Sequence, residues 1–351
     1  MYRSLPRGLV LAPLILALVS CGGARGAPTA AAGTAAASTA TGQGGSAGAV
    51  PHVPAQDFAT WLKALEAEAR GKGISQATLD AAFDGVKPLP RVIELDGKQP
   101  ESKLTFGQYQ ERIVSAARVN RGRAMLAENR KLLARTTGHY GVPPQVVLAL
   151  WGIETDSGRL TGGFNVFAAL ATLAHDGRRS AFFRNELLQA LTILEENHLP
   201  AERMTGSWAG AMGQCQFMPS SFLKFAVDGD GDGRRDIWSN RADVFASAAN
   251  YLAQVGWQAD QPWAWPARAP AGLDPALASL DISKTGAEWA KLGVKPLHGS
   301  LGSARVSLVL PDGAGGPAWL VGDNYHAILR WNRSTYFAMA VGSLSERIVA
   351  E

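Results

Sequence analysis

Apolar residues along this chain follow two different rhythms. Phe58, Leu62, Leu65 and Ala69 recur at helical spacing, and Ser75 stands where the N-cap of a second helix belongs. The stretch from Phe106 to Leu133 carries the same period and predicts one long amphipathic helix or a pair. Ser180 to Asn197 predicts another, stopped by Pro200, and Val244 to Val255 one more. From Arg305 the texture changes. Val306–Leu310, Trp319–Val321 and Tyr325–Leu329 are short β-prone runs between Gly- and Pro-containing turns, read as a small sheet over about 305–330. A last helix is expected from about Ser334 to Val349. No repeat of solenoid period is visible, so the pattern defines a mainly α, α+β chain.

One helical run has no polar face. Val146 to Ile153 is apolar throughout, and Pro143 and Pro144 precede it, where a missing N–H costs nothing. Such a helix is expected inside the molecule rather than on its surface. It ends in Glu154, roughly three turns in. Low dielectric and the negative end of the helix dipole both disfavour a carboxylate, so a buried Glu154 has its pKa displaced upward and can serve as a general acid. A solvent-facing Glu at a frayed helix end is the competing reading, because Glu is rarely buried unpaired.

Composition narrows the class. The 351 residues are 46% hydrophobic and 18% charged, enough for one large domain or two smaller ones. Net charge is only +4, with basic residues dispersed, so a nucleic-acid role has little support. Arg3 and Arg7 precede the apolar run Leu9–Val19, which is too short to span a bilayer and reads as a signal peptide over 1–20. Leu18-Val-Ser-Cys21 resembles a bacterial lipobox, in which Cys21 is lipidated; Gly22 after it favours the outer membrane. Residues 21–55 are nearly all Ala, Gly, Ser, Thr and Pro, a disordered tether with a span of roughly 30 Å. With Cys21 acylated, Cys215 is the sole remaining thiol and no intramolecular disulfide can form. Cys215, inside a small-residue loop, reads as a packing residue.

Two loops carry candidate chemistry. Gly206–Ser221 mixes glycines with Ser207, Gln214 and Gln216, which could read a neutral polar ligand, and with Trp208, Phe217 and Met218 as apolar platforms. Tight helix packing through Gly and Ala explains the same composition. Asp228-Gly-Asp-Gly-Asp-Gly-Arg-Arg-Asp236 places Asp228, Asp230, Asp232, the Arg234 carbonyl and Asp236 at alternating positions of an EF-hand loop, with Gly233 at the sharp turn. The closing position holds Ser239 instead of Glu, which makes Asp243 the candidate closing ligand of a lengthened loop over 228–243. An acidic turn without metal is the alternative.

The Glu154 segment, the 206–221 loop and the Asp-rich loop, in this order, resemble the lytic murein transglycosylases of the B type. The resemblance runs over 56–351 and implies a lysozyme-like helical core that cleaves peptidoglycan glycan strands between N-acetylmuramic acid and N-acetylglucosamine, leaving a 1,6-anhydro end. It implies Glu154 as the single catalytic residue. It places Tyr109, Arg178, Arg179, Ser207, Gln216, Phe217, Tyr251, Asn332 and Tyr336 along the substrate groove. It further implies structural Ca²⁺ with no cofactor for catalysis, and a monomer lipid-anchored in the periplasm of a Gram-negative bacterium. No separate wall-binding module is expected after the last helix. A hydrolytic muramidase using Asp156 or another carboxylate, a non-catalytic peptidoglycan-binding lipoprotein and a calcium-dependent scaffold are the alternatives.

Overall fold

The computed structural model describes residues 56–98, 104–197 and 199–350; the signal peptide, Cys21 and the tether lie outside the described residues. The first helices form where the sequence signals them. Asp57 caps α1 (Phe58–Gly71) by accepting the Thr60 N–H at 3.0 Å, and Ser75 caps α2 (Gln76–Phe83). A short α3 (Pro90–Gly97) starts at a proline and was not signalled by periodicity.

The stretch expected as one or two helices is three: α4 (Phe106–Ile113), α5 (Ala116–Glu128) and α6 (Arg130–Thr137). Local hydrogen bonding makes the breaks. The Ser115 hydroxyl accepts the Arg118 N–H to begin α5, and the Asn129 amide donates to the Met125 carbonyl at its end. Next comes the apolar helix α7 (Pro144–Thr155). It is packed against α5 and α6 and, later in the chain, α11 (Arg241–Gln254) and α14 (Thr335–Val349). A helix without a polar face has been given neighbours on every side.

Between these elements lie β1 (Phe164–Asn165), α8 (Val166–Asp176), α9 (Ser180–Asn197), β2 (Thr205–Gly206) and α10 (Pro219–Phe225). Strands β1 and β2 pair antiparallel, Phe164 opposite Gly206. Helix α8, absent from the sequence reading, is capped by Asn165 and almost wholly buried.

The C-terminal part holds β3 (Ala264–Arg268), β4 (Lys284–Thr285), α12 (Gly286–Lys291), β5 (Lys295–Pro296), β6 (Arg305–Val309), β7 (Ala318–Val321) and α13 (Asp323–Trp331). The five strands form one antiparallel sheet in the order β4-β6-β7-β3-β5. Two expectations are corrected. The sheet begins at Ala264 rather than near 305, because β3 carries Pro266, which argues against a strand in sequence. Pro266 has no N–H to give, yet its carbonyl accepts the Leu297 N–H at 2.7 Å. Tyr325–Leu329 is helical, not a strand. Asn324, Tyr325, Ala327 and Ile328 are buried at helical spacing, and a five-residue apolar run cannot separate the two periods.

The sheet closes a second, smaller core around Trp265, Trp289, Leu308 and Leu320, while the main core fills the helical body. Among the described residues no helix is long and apolar enough to cross a membrane.

Candidate active site

Helix α7 delivers Glu154 and then stops abruptly. Asp156 (φ 51°) and Ser157 (φ 61°) are both left-handed, and Ser157 N–H donates to the Trp151 carbonyl at 3.1 Å. Two successive non-glycine residues in this region need support. Asp156 receives it from Arg121 Nη1 at 2.5 Å and from the Arg159 guanidinium. Burial alone would raise the Asp156 pKa, but the hydrogen bonds from Arg159 and Arg121 outweigh it and hold the carboxyl below its ordinary range. The carboxyl two residues beyond Glu154 is therefore ionised and occupied.

Glu154 is in the opposite condition. It is 9% exposed, and its pKa is pushed up to about 7 by burial, opposed by a hydrogen bond from Trp331 Nε1 to Oε1 at 2.8 Å. The lining is mostly apolar, with Val147, Leu150, Trp151, Cys215, Val244 and Ala248, and Gln214 is the polar side chain beside them. Trp331 ends α13 and packs 5.1 Å from Phe217 and 4.7 Å from Tyr251, ring centroid to ring centroid. Tyr251 fastens the same helix end by donating its hydroxyl to the Arg330 carbonyl at 2.5 Å. Phe217, Tyr251 and Trp331 thus form an aromatic cluster beside the acid, with Phe225 behind Tyr251 at 4.3 Å. Tyr109 on α4 senses the same site: burial and the Glu154 charge push its pKa up to about 12. It lies 5.4 Å from the Tyr336 ring, whose hydroxyl faces the Pro311 carbonyl at 3.5 Å. Asn332 uses its side-chain oxygen to accept the Ser334 N–H.

The 206–221 loop is held by its own polar groups. Ser207 Oγ accepts the Ala211 N–H at 3.1 Å, and Gln216 (φ 51°) donates to the carbonyls of Gly213 at 2.8 Å and Thr161 at 3.0 Å. Gln214 bridges the loop to α7 by accepting from Trp151 Nε1 and donating to the Trp238 carbonyl, both at 2.8 Å. Backbones meet closely here. A Cβ on Gly162 would lie 2.1 Å from the Gly206 carbonyl oxygen. Cys215 is buried, its thiol facing the Val244 carbonyl, and burial pushes its pKa up. Such a thiol is unsuited to nucleophilic work.

Arg178 and Arg179 converge on one carboxylate. Asp96 of α3, with its side chain 3% exposed, accepts from Arg178 Nη2 at 2.7 Å and Arg179 Nη2 at 2.5 Å. Arg179 also lies 5.0 Å over the Phe183 ring. Asp96 had no sequence signal, because only the fold brings α3 to this turn. The same holds for Trp331 as a partner of Glu154, 177 residues away.

The Asp-rich loop folds around Asp228, whose carboxylate accepts the backbone N–H groups of Asp230, Gly231, Asp232 and Gly233. Oxygens of Asp228, Asp230 and Asp232 lie within 4.8 Å of one another. These are hard oxygen donors of the kind calcium takes. Asp236 is turned to its own corner, accepting from Trp238 N–H and Ser239 N–H and pairing with Arg203. Asp243 is buried and accepts from Gly229 N–H at 2.7 Å and Asp236 N–H at 2.6 Å. Arg234 N–H is bound by Asp232.

A lysozyme-like helical body, a buried carboxyl with its pKa raised to about 7 and an aromatic cluster beside it are the parts a glycan-cleaving enzyme needs. The chain matches the Transglycosylase SLT domain over residues 57–346 and belongs to that family of lytic transglycosylases. It is 31% identical over 288 residues to the membrane-bound lytic murein transglycosylase B of Escherichia coli, covering 79% of each chain. It superposes on SltB3 from Pseudomonas aeruginosa in complex with NAG-anhNAM-pentapeptide with a TM-score of 0.80 and 45% identity, over 83% of this chain and 79% of that one. The Escherichia coli lytic transglycosylase Slt35 in complex with calcium matches with a TM-score of 0.72 and 29% identity, over 83% and 92%.

Proposed function

We propose that Glu154 carries the transglycosylase reaction on peptidoglycan alone, as acid and then as base. The observation behind this is one carboxyl lodged in an apolar pocket with a pKa of about 7 and a single hydrogen-bond donor, while its acidic neighbour Asp156 is tied to two arginines. Ordinary glycosidases need two free carboxyl groups. Here Glu154 protonates the oxygen linking N-acetylmuramic acid to N-acetylglucosamine, and that bond breaks. The substrate's N-acetyl group stabilises the positive centre at C1. The carboxylate then removes the proton of the C6 hydroxyl, whose oxygen closes on C1 to give the 1,6-anhydro ring. Glu154 is protonated again, and no water is consumed. A pKa near neutrality suits a group that must give and regain a proton in one cycle.

Tyr109, Ser207, Gln216, Phe217, Tyr251, Asn332 and Tyr336 are proposed to line the groove that holds the strand. Contacts to Glu154's surroundings support Phe217, Tyr251, Tyr109 and Tyr336 most directly. Arg178 and Arg179, pre-oriented by Asp96, are proposed to meet substrate carboxylates. Asp228, Asp230 and Asp232, with the Arg234 carbonyl, would hold a calcium ion, which when bound neutralises the clustered carboxylates and fixes the loop between α10 and α11. Asp236 and Asp243 support this loop through the hydrogen bonds already described. Lipidation of Cys21 would anchor the enzyme at the outer membrane, the tether giving it reach into the wall.

The test is Glu154→Gln on purified peptidoglycan sacculi. Loss of turbidity-clearing activity by at least about 10²-fold is expected, the range for a single general acid–base group. Undiminished clearing removes Glu154 from the mechanism.

A further inference from the structure

The bond between Trp331 and Glu154 has a chemical direction. An indole Nε1–H donates and cannot accept, whereas in a protonated carboxyl one oxygen carries the hydrogen and the other, the carbonyl oxygen, is the better acceptor. Trp331 Nε1 contacts Oε1 at 2.8 Å. The carbonyl oxygen of a protonated carboxyl is the stronger acceptor, so this bond is best made when Oε1 is the carbonyl oxygen and the acidic hydrogen sits on Oε2. Among the described residues Oε2 has no hydrogen-bond partner, and Glu154 keeps 9% of its surface exposed, which makes Oε2 the oxygen left for a ligand.

We propose that Trp331 is a positioning residue that biases the acidic hydrogen of Glu154 toward Oε2, so that one oxygen of the carboxyl serves the reaction and the other is held by the protein. This rests on the assignment of Glu154 as acid and base. The surroundings keep the indole from turning away. Phe217 and Tyr251 pack against Trp331, and Tyr251 pins the adjacent Arg330 carbonyl. A phenol or hydroxyl in the same place could donate or accept, letting the hydrogen exchange between oxygens. The donor also steadies the carboxylate formed after proton transfer, opposing the burial that raises the pKa.

Titratable and charged groups facing the acid are few. Tyr109 on α4 and Cys215 on the loop feel its charge, both with pKa values displaced upward; Arg118 on α5 and Asp243 on α11 act on Tyr109 and Cys215 respectively. None of these titrates near neutrality in a way that would imitate Glu154, except Asp243, which is pushed up to about 6 by burial.

The test has two parts. In wild-type enzyme with ¹⁵N-labelled indoles, one indole N–H resonance should move downfield with a midpoint near pH 7 as the carboxylate forms, and this titration should vanish in Glu154→Gln while persisting in Asp243→Asn. Trp331→Phe keeps the ring packing and removes the donor. It should lose kcat by roughly tenfold, leave KM for glycan within about twofold, and move the alkaline limb of the pH profile to higher pH, because the carboxylate has lost its donor. A rise in KM with unchanged kcat and unchanged pH limb would reduce Trp331 to a sugar platform and overturn the proposal. So would the absence of any titrating indole in wild type, a result that needs no variant to fold. If Trp331→Phe matches wild type while Glu154→Gln is dead, only this inference falls. If Glu154→Gln remains active, the assignment beneath it falls instead.

Discussion

The role proposed for Glu154 sets catalysis against stability. Its pKa is about 7 in the fold against an ordinary value of 4.5, so between these limits the folded protein binds a proton that the unfolded chain has released. Stability is fully kept below pH 4.5 and falls as pH rises to about 7, by about 3 kcal/mol in total. Glutamine has the same shape, bears no charge, and still offers an oxygen to the Trp331 indole. Glu154→Gln should therefore unfold at higher denaturant than wild type above pH 7 and at the same denaturant at pH 4. Equal midpoints at pH 8 would mean that the carboxylate is better solvated than its burial implies. The residue was singled out in the sequence as a lone carboxyl ending an apolar helix, but a solvent-facing Glu explains that pattern equally, and only the family resemblance carried by the two later loops favoured the acid. Its partner was not legible. Nothing in local sequence pairs Trp331 with a residue 177 positions earlier, nor gives Arg178 and Arg179 a shared anchor in Asp96.

At the scale of elements, periodicity found helices with caps and missed elements whose identity depends on their surroundings. Ser75 was readable as a cap and accepts the Thr78 N–H, and Ser334, where the last helix was expected to begin, caps it by accepting the Phe337 N–H. Helix α8 was missed because its residues are buried all round, leaving no polar face to mark the period. The run at 325–329 was misread for the complementary reason: five apolar-rich residues fit either period until the fold decides. The close approach of the backbone before β1 to that of β2 gives an element-level prediction. Gly162 has φ 87°, and a Cβ there would collide with the Gly206 carbonyl. Gly162→Ala should cost more than about 1 kcal/mol of stability and lower activity, since the clash lies beside Ser207. Thermal melts and initial rates will show both; a silent substitution would mean that the β1–β2 contact can open freely. For the loop between α10 and α11, chelation should lower Tm, and added Ca²⁺ should restore it, with a gain of about 2.7 kcal/mol in unfolding free energy at a hundredfold excess over Kd. Asp228→Asn should abolish that response, because its carboxylate organises four backbone N–H groups of the loop. A Tm indifferent to Ca²⁺ would leave the acidic turn without a metal role.

Across the whole molecule, the C-terminal helix meets the segment that leads from the helical body into the sheet. Gly342 on α14 abuts Trp263, the residue before β3, so closely that a Cβ would lie 2.2 Å from the indole ring, and Trp263 Nε1 donates to Glu346 on the same helix at 2.7 Å. Alanine would gain up to about 1 kcal/mol in helix propensity but overpack a buried ring at about 1–3 kcal/mol or more. The clash should win, and Gly342→Ala should lower the denaturant midpoint; a rise would show that Trp263 can move aside. The fold class was readable from the balance of helical and β-prone runs, and the family from three ordered blocks, but the extent of the sheet required the pairing of β3 with β7 and β5. The account's central claim concerns the product of the whole enzyme, since one carboxyl acting as acid and base must close a ring without water. Mass spectrometry of the fragments released from purified sacculi decides it. Muramic acid ends lighter by one water than the reducing sugar are expected from wild type, with none released by Glu154→Gln; hydrolysed reducing ends from wild type would contradict it.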